Sequence, residues 1–348
     1  MTMDVDSGLR SLWRYAAALP VEHPDRCVTL DEGWTPLVDA PRTARALGCR
    51  RLLIKDEGRN PTGSFKDRSA SVTVSRLRER GATGVVLSST GNAGAAFATY
   101  AARAGIRCVS IVPSDALEAN LAQIRHAGAE LHMLEDWSAA PMLAADLAGR
   151  LGYEDVSAAR TNLRIEGKKT LGYEIVEQLG WSFPDIVVCP TGGGTGILAL
   201  QRAFAELNDR GIARGRLPRL FASQYDGCAP IAVAHAGGHA AVQPWGAVTT
   251  PRGGMRTPSP ASGGLVLAAI ATGGAHAVSA AAAFAAAAGA SKQDGVPVGP
   301  EGGTALATVA AALARGEIDP ASSIVVVNTA TPLKADPAFD AAPASHEV

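Results

Sequence analysis

Short β-branched apolar runs alternate along this chain with longer Ala/Leu-rich stretches of helical spacing. Gly84–Ser88 reads as a strand, followed by a helix over Asn92–Arg103, a strand over Arg107–Val112, a helix over Leu117–Ala127, a strand over Glu130–Leu134 and a helix over Ser138–Leu151. The alternation resumes with the helix Glu166–Leu179, the strand Asp185–Cys189, the helix Thr195–Leu207 and the strand Leu217–Ser223, and closes with the helix Thr304–Ala314 and the strand Ser323–Asn328. Strands this uniformly apolar need cover on both faces, so the pattern predicts an α/β fold of parallel sheets flanked by helices. The βαβ block over 75–160 is compact enough to form a small sheet of its own. The remaining segments, 1–74 and 161–348, then make a discontinuous large domain around it. Ala280–Ala290, nearly all alanine, reads as a surface or packing helix, Arg252–Ser262 as a mobile Gly/Pro/Ser loop at the border of a cleft, and the Pro/Ala-rich end from Asp336 as frayed.

Composition removes several classes of function. The 348 residues are 47% hydrophobic and 19% charged, with a formal net charge of −1 and 5% aromatics, so there is no basic, aromatic-laced footprint for nucleic acid. No apolar run reaches membrane-spanning length. Asp4, Asp6 and Arg10 occupy the stretch where a signal peptide needs a basic start and an apolar core, and the expected location is cytoplasmic. The five cysteines (Cys27, Cys49, Cys108, Cys189, Cys228) have no paired spacing, which argues against a disulfide framework and a zinc site. His235 and His239 have a glycine pair between them, unlike a rigid metal-binding helix, and His126, His132 and His276 read as structural or surface residues. No metal is expected.

The candidate chemistry sits in the turns. Asn60-Pro61-Thr62-Gly63-Ser64-Phe65-Lys66-Asp67-Arg68 places Lys66 just past a Pro/Gly turn, at the first turn of a helix. A lysine held and partly desolvated there can lose its proton and form a Schiff base with a carbonyl cofactor. The turn Ser88-Ser89-Thr90-Gly91-Asn92-Ala93-Gly94 offers backbone N–H groups and hydroxyls to a carboxylate, and Asn92 offers an amide to a phenolic oxygen; it also reads as an ordinary N-cap cluster. Pro190-Thr191-Gly192-Gly193-Gly194-Thr195-Gly196 lets a backbone curl around a phosphate at a helix start. It lacks the acidic ribose partner of a dinucleotide site, which implies a single phosphate. Asn328-Thr329-Ala330-Thr331, at the end of the last strand, places a hydroxyl where a ring nitrogen could meet it.

An amine, a phosphate cup, a carboxylate turn and a ring-nitrogen partner match pyridoxal 5'-phosphate with an amino-acid substrate. From Gly33-Trp34-Thr35-Pro36-Leu37 to Leu333-Lys334 the chain resembles the threonine synthase family of fold type II pyridoxal-phosphate enzymes. The resemblance rests on NPTGSFKDR (60–68), SSTGNAG (88–94), RIEGKKTLGYEI (164–175), PTGGGTG (190–196), GCAPI (227–231), GPEGGTALA (299–307) and NTATPLK (328–334), in that order. It implies a two-domain, tryptophan synthase β-like fold with a mobile small domain, and a cytoplasmic homodimer without nucleic-acid or membrane partners. It assigns Lys66 as the Schiff-base lysine and later the base, Phe65 to the cofactor plane, and Asn92 to the ring hydroxyl. Gly192, Gly193, Gly194, Thr195 and Gly196 are assigned to the phosphate, Thr329 to the pyridine nitrogen, and Ser89, Thr90 and Gly91 to the substrate carboxylate. Arg164, assisted by Lys168 or Lys169, is assigned to the phosphate of O-phosphohomoserine.

The chain also departs from the family pattern. Ala158-Ala159-Arg160 lacks a common serine, the phosphate loop is triglycine where many relatives carry asparagine, Ala330-Thr331-Pro332 replaces Gly-Ser-Gly, and Ser69 stands where glycine is common. The departures leave the cofactor residues in place and fall where the substrate is chosen, around Arg164 and Thr331. The favoured reading is a threonine-synthase-type lyase. The alternatives are a threonine or serine ammonia-lyase, β-replacement on O-phosphoserine as in cysteate synthase relatives, and a catalytically silent binding protein.

Overall fold

The computed structural model of the chain describes residues 3–158 and 160–340. Met1, Thr2, Ala159 and the last stretch of the expected frayed end lie outside the described residues. The strands are β1 (Leu37–Asp39), β2 (Arg51–Asp56), β3 (Gly84–Ser88), β4 (Arg107–Pro113), β5 (Glu130–Leu134), β6 (Glu154–Asp155), β7 (Ile186–Pro190), β8 (Arg219–Tyr225), β9 (Gly274–Val278) and β10 (Ser323–Asn328). Those used below among the helices are α1 (Pro41–Leu47), α2 (Lys66–Glu79), α3 (Asn92–Ala104), α4 (Glu118–His126), α5 (Ala140–Leu151), α6 (Leu163–Gln178), α7 (Thr195–Asp209), α8 (Pro230–Ala236), α9 (Gly263–Ala269), α10 (Ala280–Asp294) and α11 (Pro300–Ala314).

The strands form two sheets. A six-stranded sheet has the order β1-β2-β10-β7-β8-β9, and a four-stranded sheet the order β5-β4-β3-β6. All pairings are parallel except β1 with β2, so the large sheet is mixed through one edge strand. The central strands feed two cores by simple alternation. Val187, Cys189, Val325 and Val327 pack with α6, α7, α8 and α9, whereas Ile186, Val188, Ile324 and Val326 pack with α1, α10 and α11. Burial of each such side chain is worth about 1.5–3 kcal/mol, which is why both faces must be covered. The smaller sheet repeats the scheme, with Val85 and Leu87 facing α2, α3 and α4, and Val86 facing α5.

Several boundaries differ from the sequence expectation. The helix expected from Thr304 begins at Pro300, whose fixed φ suits a first helical position. The strand expected over Leu217–Ser223 runs over Arg219–Tyr225. The sequence pattern does not predict β1, β2, β6, β9, α1, α8 or α9, which are short or lack a sustained apolar period. The alanine helix is α10, which buries Ala283, Phe284, Ala287 and Ala290 and so is a packing helix. Residues from Asp336 to 340 are tied down, with Asp336 paired to Arg252 at 2.9 Å and Phe339 packed edge-on against Phe284 at 5.2 Å. The expected division at residue 74 falls inside α2, which is continuous from Lys66 to Glu79.

α2 links the two sheets. Its Ala70, Val74 and Leu77 belong to the core of the smaller sheet, while its first turn lies against α6 and the turn before it is bonded to the residues that follow β10. The close approach to α6 depends on Gly167, where a Cβ would stand 2.0 Å from the Arg68 carbonyl oxygen. Any other residue would force the helices apart.

Candidate active site

The first turn of α2 is anchored on one side by a buried ionic network. Arg68 donates from Nε to Glu57 at 2.6 Å and from Nη1 to Glu174 at 2.6 Å, and Lys55 Nζ donates to Glu174 at 2.8 Å. The Thr35 hydroxyl completes Glu57 at 2.6 Å. Burial would raise the Glu174 carboxyl, but Arg68 and Lys55 outweigh it and hold it down at about 2. On the other side the Phe65 N–H donates to the Thr329 carbonyl at 2.9 Å, and the Thr331 N–H donates to the Gly63 carbonyl at 2.9 Å. These two bonds fasten the turn before Lys66 to the end of β10. Asp67 accepts from the Thr62 N–H at 2.7 Å and from the Thr62 hydroxyl, and its burial raises its carboxyl to about 7.

Lys66 is thereby aimed into a recess. Its Nζ lies 4.5 Å from the Phe65 ring centroid, and among the described residues no carboxylate lies within 4.0 Å of it. Burial, with Arg164 adding to it, lowers the amine to about 8. The recess, about 430 Å³ with its open mouth included, is lined by Phe65, Lys66, Asn92, Gly192 to Gly196, Glu301 and Thr329, among others.

The glycine turn closes one end of the recess. Gly194 has φ +88°, and a Cβ there would stand 2.2 Å from Val266, so conformation and space both require glycine. The turn leads into α7, whose N–H groups and dipole face the recess. Asn92, the first residue of α3, is buried and its Oδ1 has no hydrogen-bond partner. A buried acceptor without a partner costs about 1–3 kcal/mol, which a phenolic hydroxyl would relieve. With a recessed amine for an aldehyde and the Thr329 hydroxyl beside it, these residues fit pyridoxal phosphate.

Outside the recess lies a larger cleft of about 1630 Å³, its open mouth included, lined by Lys66, Ser89, Thr90, Asn92, Arg164 and part of the 252–262 loop, among others. That loop borders the cleft as expected. Ser89 has two tasks: it lines the cleft, and its hydroxyl accepts from the Gly91 and Gly94 N–H groups at 3.2 Å, capping α3. Arg164 is 4% exposed and donates to the Val156 carbonyl at 2.9 Å, while its Nε has no partner. The other cleft arginines are paired, Arg160 to Asp155 at 3.4 Å and Arg256 to Asp115 at 2.5 Å. Arg164 has no carboxylate within 4.0 Å among the described residues, and burial lowers it to about 10 against the pull of Asp155.

The structure does not gather every expected residue. Gly91 is not in the lining; with φ +138° it turns the chain over Asn120. Neither lysine beside Arg164 reaches the cleft. Lys168 is fully buried and donates to the Ser69 hydroxyl at 2.6 Å, and Lys169 pairs with Glu166 at 2.8 Å and with Glu206 at 3.1 Å. Thr331 packs on Gly58 and Gly63, away from the cleft. Glu301, Gly254 and Met255 line the recess without having been singled out. The signal for Glu301 was a carboxylate between a helix-starting proline and two glycines. The cysteines are free, with Cys108 and Cys189 buried in strands, and among the described residues no cluster suits a metal and no helix is long and apolar enough to cross a membrane.

The chain is 37% identical to the threonine synthase of Methanocaldococcus jannaschii over 228 residues, which are 63% of this chain and 54% of that enzyme. It is 37% identical to the threonine synthase of Methanosarcina acetivorans over 67% of this chain and 57% of that enzyme. The matched stretch thus spans little more than half of these curated relatives. Among solved structures, an L-serine ammonia-lyase from Rhizomucor miehei superposes with a TM-score of 0.76 at 24% identity, covering 90% of this chain and 98% of that one. The processed form of threonine deaminase isoform 2 from Solanum lycopersicum gives 0.75 at 21% identity, covering 95% and 92%. At these identities the superpositions show the fold alone. Residues 28–330 match the family described as "Pyridoxal-phosphate dependent enzyme", and this chain belongs to it.

Proposed function

We propose that this protein is a threonine-synthase-type lyase that adds water to O-phosphohomoserine, or a close amino-acid analogue, and releases threonine and phosphate. The observation that carries the reading is Arg164: a buried guanidinium, unpaired, in the same cleft as Lys66. An uncompensated buried charge costs several kcal/mol, so such a site favours an anionic ligand, here the substrate's phosphate. The identity to threonine synthases supports the same substrate class.

Bound pyridoxal phosphate supplies a conjugated ring that draws electrons from the substrate's carbons. In this reading Gly192, Gly193, Gly194, Thr195 and Gly196 hold its phosphate, Asn92 its ring hydroxyl, Thr329 its ring nitrogen and Phe65 its plane. Ser89 and Thr90, just before α3, receive the substrate carboxylate, and Gly91 shapes the turn that presents them. Lys66 holds the cofactor and, once released, takes and returns protons at the substrate carbons. An amine at about 8 is partly neutral near neutral pH, whereas an ordinary lysine at 10.5 is almost wholly charged. Residues 75–160 act as a small mobile domain: Trp137, Ser138 and Pro141 line the cleft from that side and, on closure, exclude water. The resemblance adds a cytoplasmic homodimer, which sedimentation of the purified protein and cell fractionation check.

The test is a substrate panel of O-phosphohomoserine, O-phosphoserine, threonine and serine, assayed for phosphate, threonine and 2-oxo acid. Phosphate and threonine from O-phosphohomoserine are expected. Oxo acid from threonine, with no phosphate from O-phosphohomoserine, overturns the reading in favour of an ammonia-lyase.

A further inference from the structure

Glu301 is the one carboxylate that lines the recess among the described residues. It stands in the first turn of α11, 6% exposed, and accepts from the Gly254 N–H at 3.3 Å. No cationic side chain lies within 4.0 Å of it among the described residues, just as no carboxylate lies that close to Lys66. A desolvated amine and a desolvated carboxyl group therefore line one small cavity without touching. The other polar groups around them are Arg164 and Lys168 from α6, the Cys189 thiol from β7, and the Tyr225 hydroxyl at the end of β8, which is buried without a partner. Of these, Arg164 repels positive charge on Lys66, and Cys189 is pushed up to about 12, which leaves it a neutral thiol. The Glu301 carboxylate is left as the group able to favour positive charge in the recess.

We propose that Glu301 is a positioning residue acting through Lys66: its carboxylate holds the proton on the Lys66 nitrogen when that nitrogen is bonded to the cofactor. Condensation of the Lys66 amine with the cofactor aldehyde releases one water and leaves a nitrogen that holds or sheds one proton. A nearby negative charge stabilises the protonated form, and the low dielectric of the recess strengthens the effect. The coupling runs both ways: Glu301, raised by burial, is drawn back toward its ionised form by Lys66. This role does not depend on which amino acid is the substrate.

The experiment is a pH titration of the visible absorption of the loaded enzyme, which distinguishes the protonated from the unprotonated linkage. Glu301→Gln keeps the shape and removes the charge, and its midpoint is expected to fall by about one to two pH units. Glu301→Asp withdraws the carboxylate by one methylene, and a smaller fall in the same direction is expected. An E301Q midpoint equal to that of the wild type overturns the proposal, including the case in which the variant merely holds the cofactor more weakly. If E301Q fails to fold, E301D decides: a native circular dichroism spectrum with an unshifted midpoint overturns it.

Discussion

Lys55 is fully buried and Lys66 lines an open recess on a neighbouring element, and the fold treats their amines in opposite ways. Lys55 Nζ donates to Glu174 at 2.8 Å, to the Thr35 carbonyl at 2.7 Å and to Gln178 at 3.0 Å, so each of its three protons has an acceptor. Burial lowers its pKa, while Glu174 works against the fall. Lys66 has no carboxylate at that range among the described residues and is left near 8. The paired corner is scaffold: it locks β2, α2 and α6 together. The unpaired corner is where chemistry can occur, because a group without a partner is available to a ligand. The position of Lys66 depends on the completeness of the Arg68 network directly behind it.

That contrast can be broken from either side. The largest effect is expected from Lys66→Ala, which removes the visible chromophore and lowers activity by more than about 10³-fold, with an unchanged far-ultraviolet circular dichroism spectrum. An unaltered chromophore would move the cofactor attachment elsewhere. Glu174→Ala acts on the paired corner and strands Arg68 and Lys55 as buried charges. A loss of about 3–5 kcal/mol in denaturant unfolding is expected. Since the Glu174 carboxyl is held at about 2, below the ordinary 4.5, its contribution is complete above about 4.5 and is lost as pH falls toward about 2. Glu174→Gln should lack that acid-side loss.

Smaller effects sharpen the picture of the unpaired corner. Arg164→Met should raise the KM for O-phosphohomoserine about 10–100-fold, the worth of a charge-assisted hydrogen bond, and leave the cofactor spectrum unchanged. An unchanged KM would remove Arg164 from the substrate site. The smallest effect concerns stability alone. Because the Lys66 amine is lowered to about 8 from 10.5, the unfolded chain binds the proton more tightly. The apoprotein is therefore penalised below about 8 and recovers as pH rises toward 10.5. Lys66→Met apoprotein should be more stable than wild type by about 1–2 kcal/mol at neutral pH, with the gap closing across that window.

Much of the recess was legible in the sequence because each of its parts is local. A glycine turn before α7, an asparagine at the start of α3 and a lysine at the start of α2 are each specified by a few consecutive residues. The cleft was read less well. Arg164, Lys168 and Lys169 look like one basic cluster, but a helix turns about 100° per residue, which carries Lys169 to another face, while Lys168 stays on the face of Arg164 and is buried beneath it. Lys168 donates to Ser69 and Lys169 to Glu206, so Arg164 is the one of the three that lines the cleft. Ser69, noted only as a departure from a common glycine, is the buried acceptor for Lys168 and donates to the Arg164 carbonyl at 2.8 Å.

By itself the sequence determined the alternating strands and helices, the covered faces of the sheets and most of the residues that line the recess, because strand alternation, helix starts and glycine turns are set by neighbours in the chain. Only the tertiary structure decided which charged groups meet and which do not. Arg68 finds Glu174 across more than a hundred positions, Arg164 finds no carboxylate among the described residues, and Glu301 comes to line the same recess as Lys66 from the far end of the chain. Those pairings follow from how α2, α6 and α11 cross one another, and the crossings depend on packing contacts that no local stretch of sequence contains.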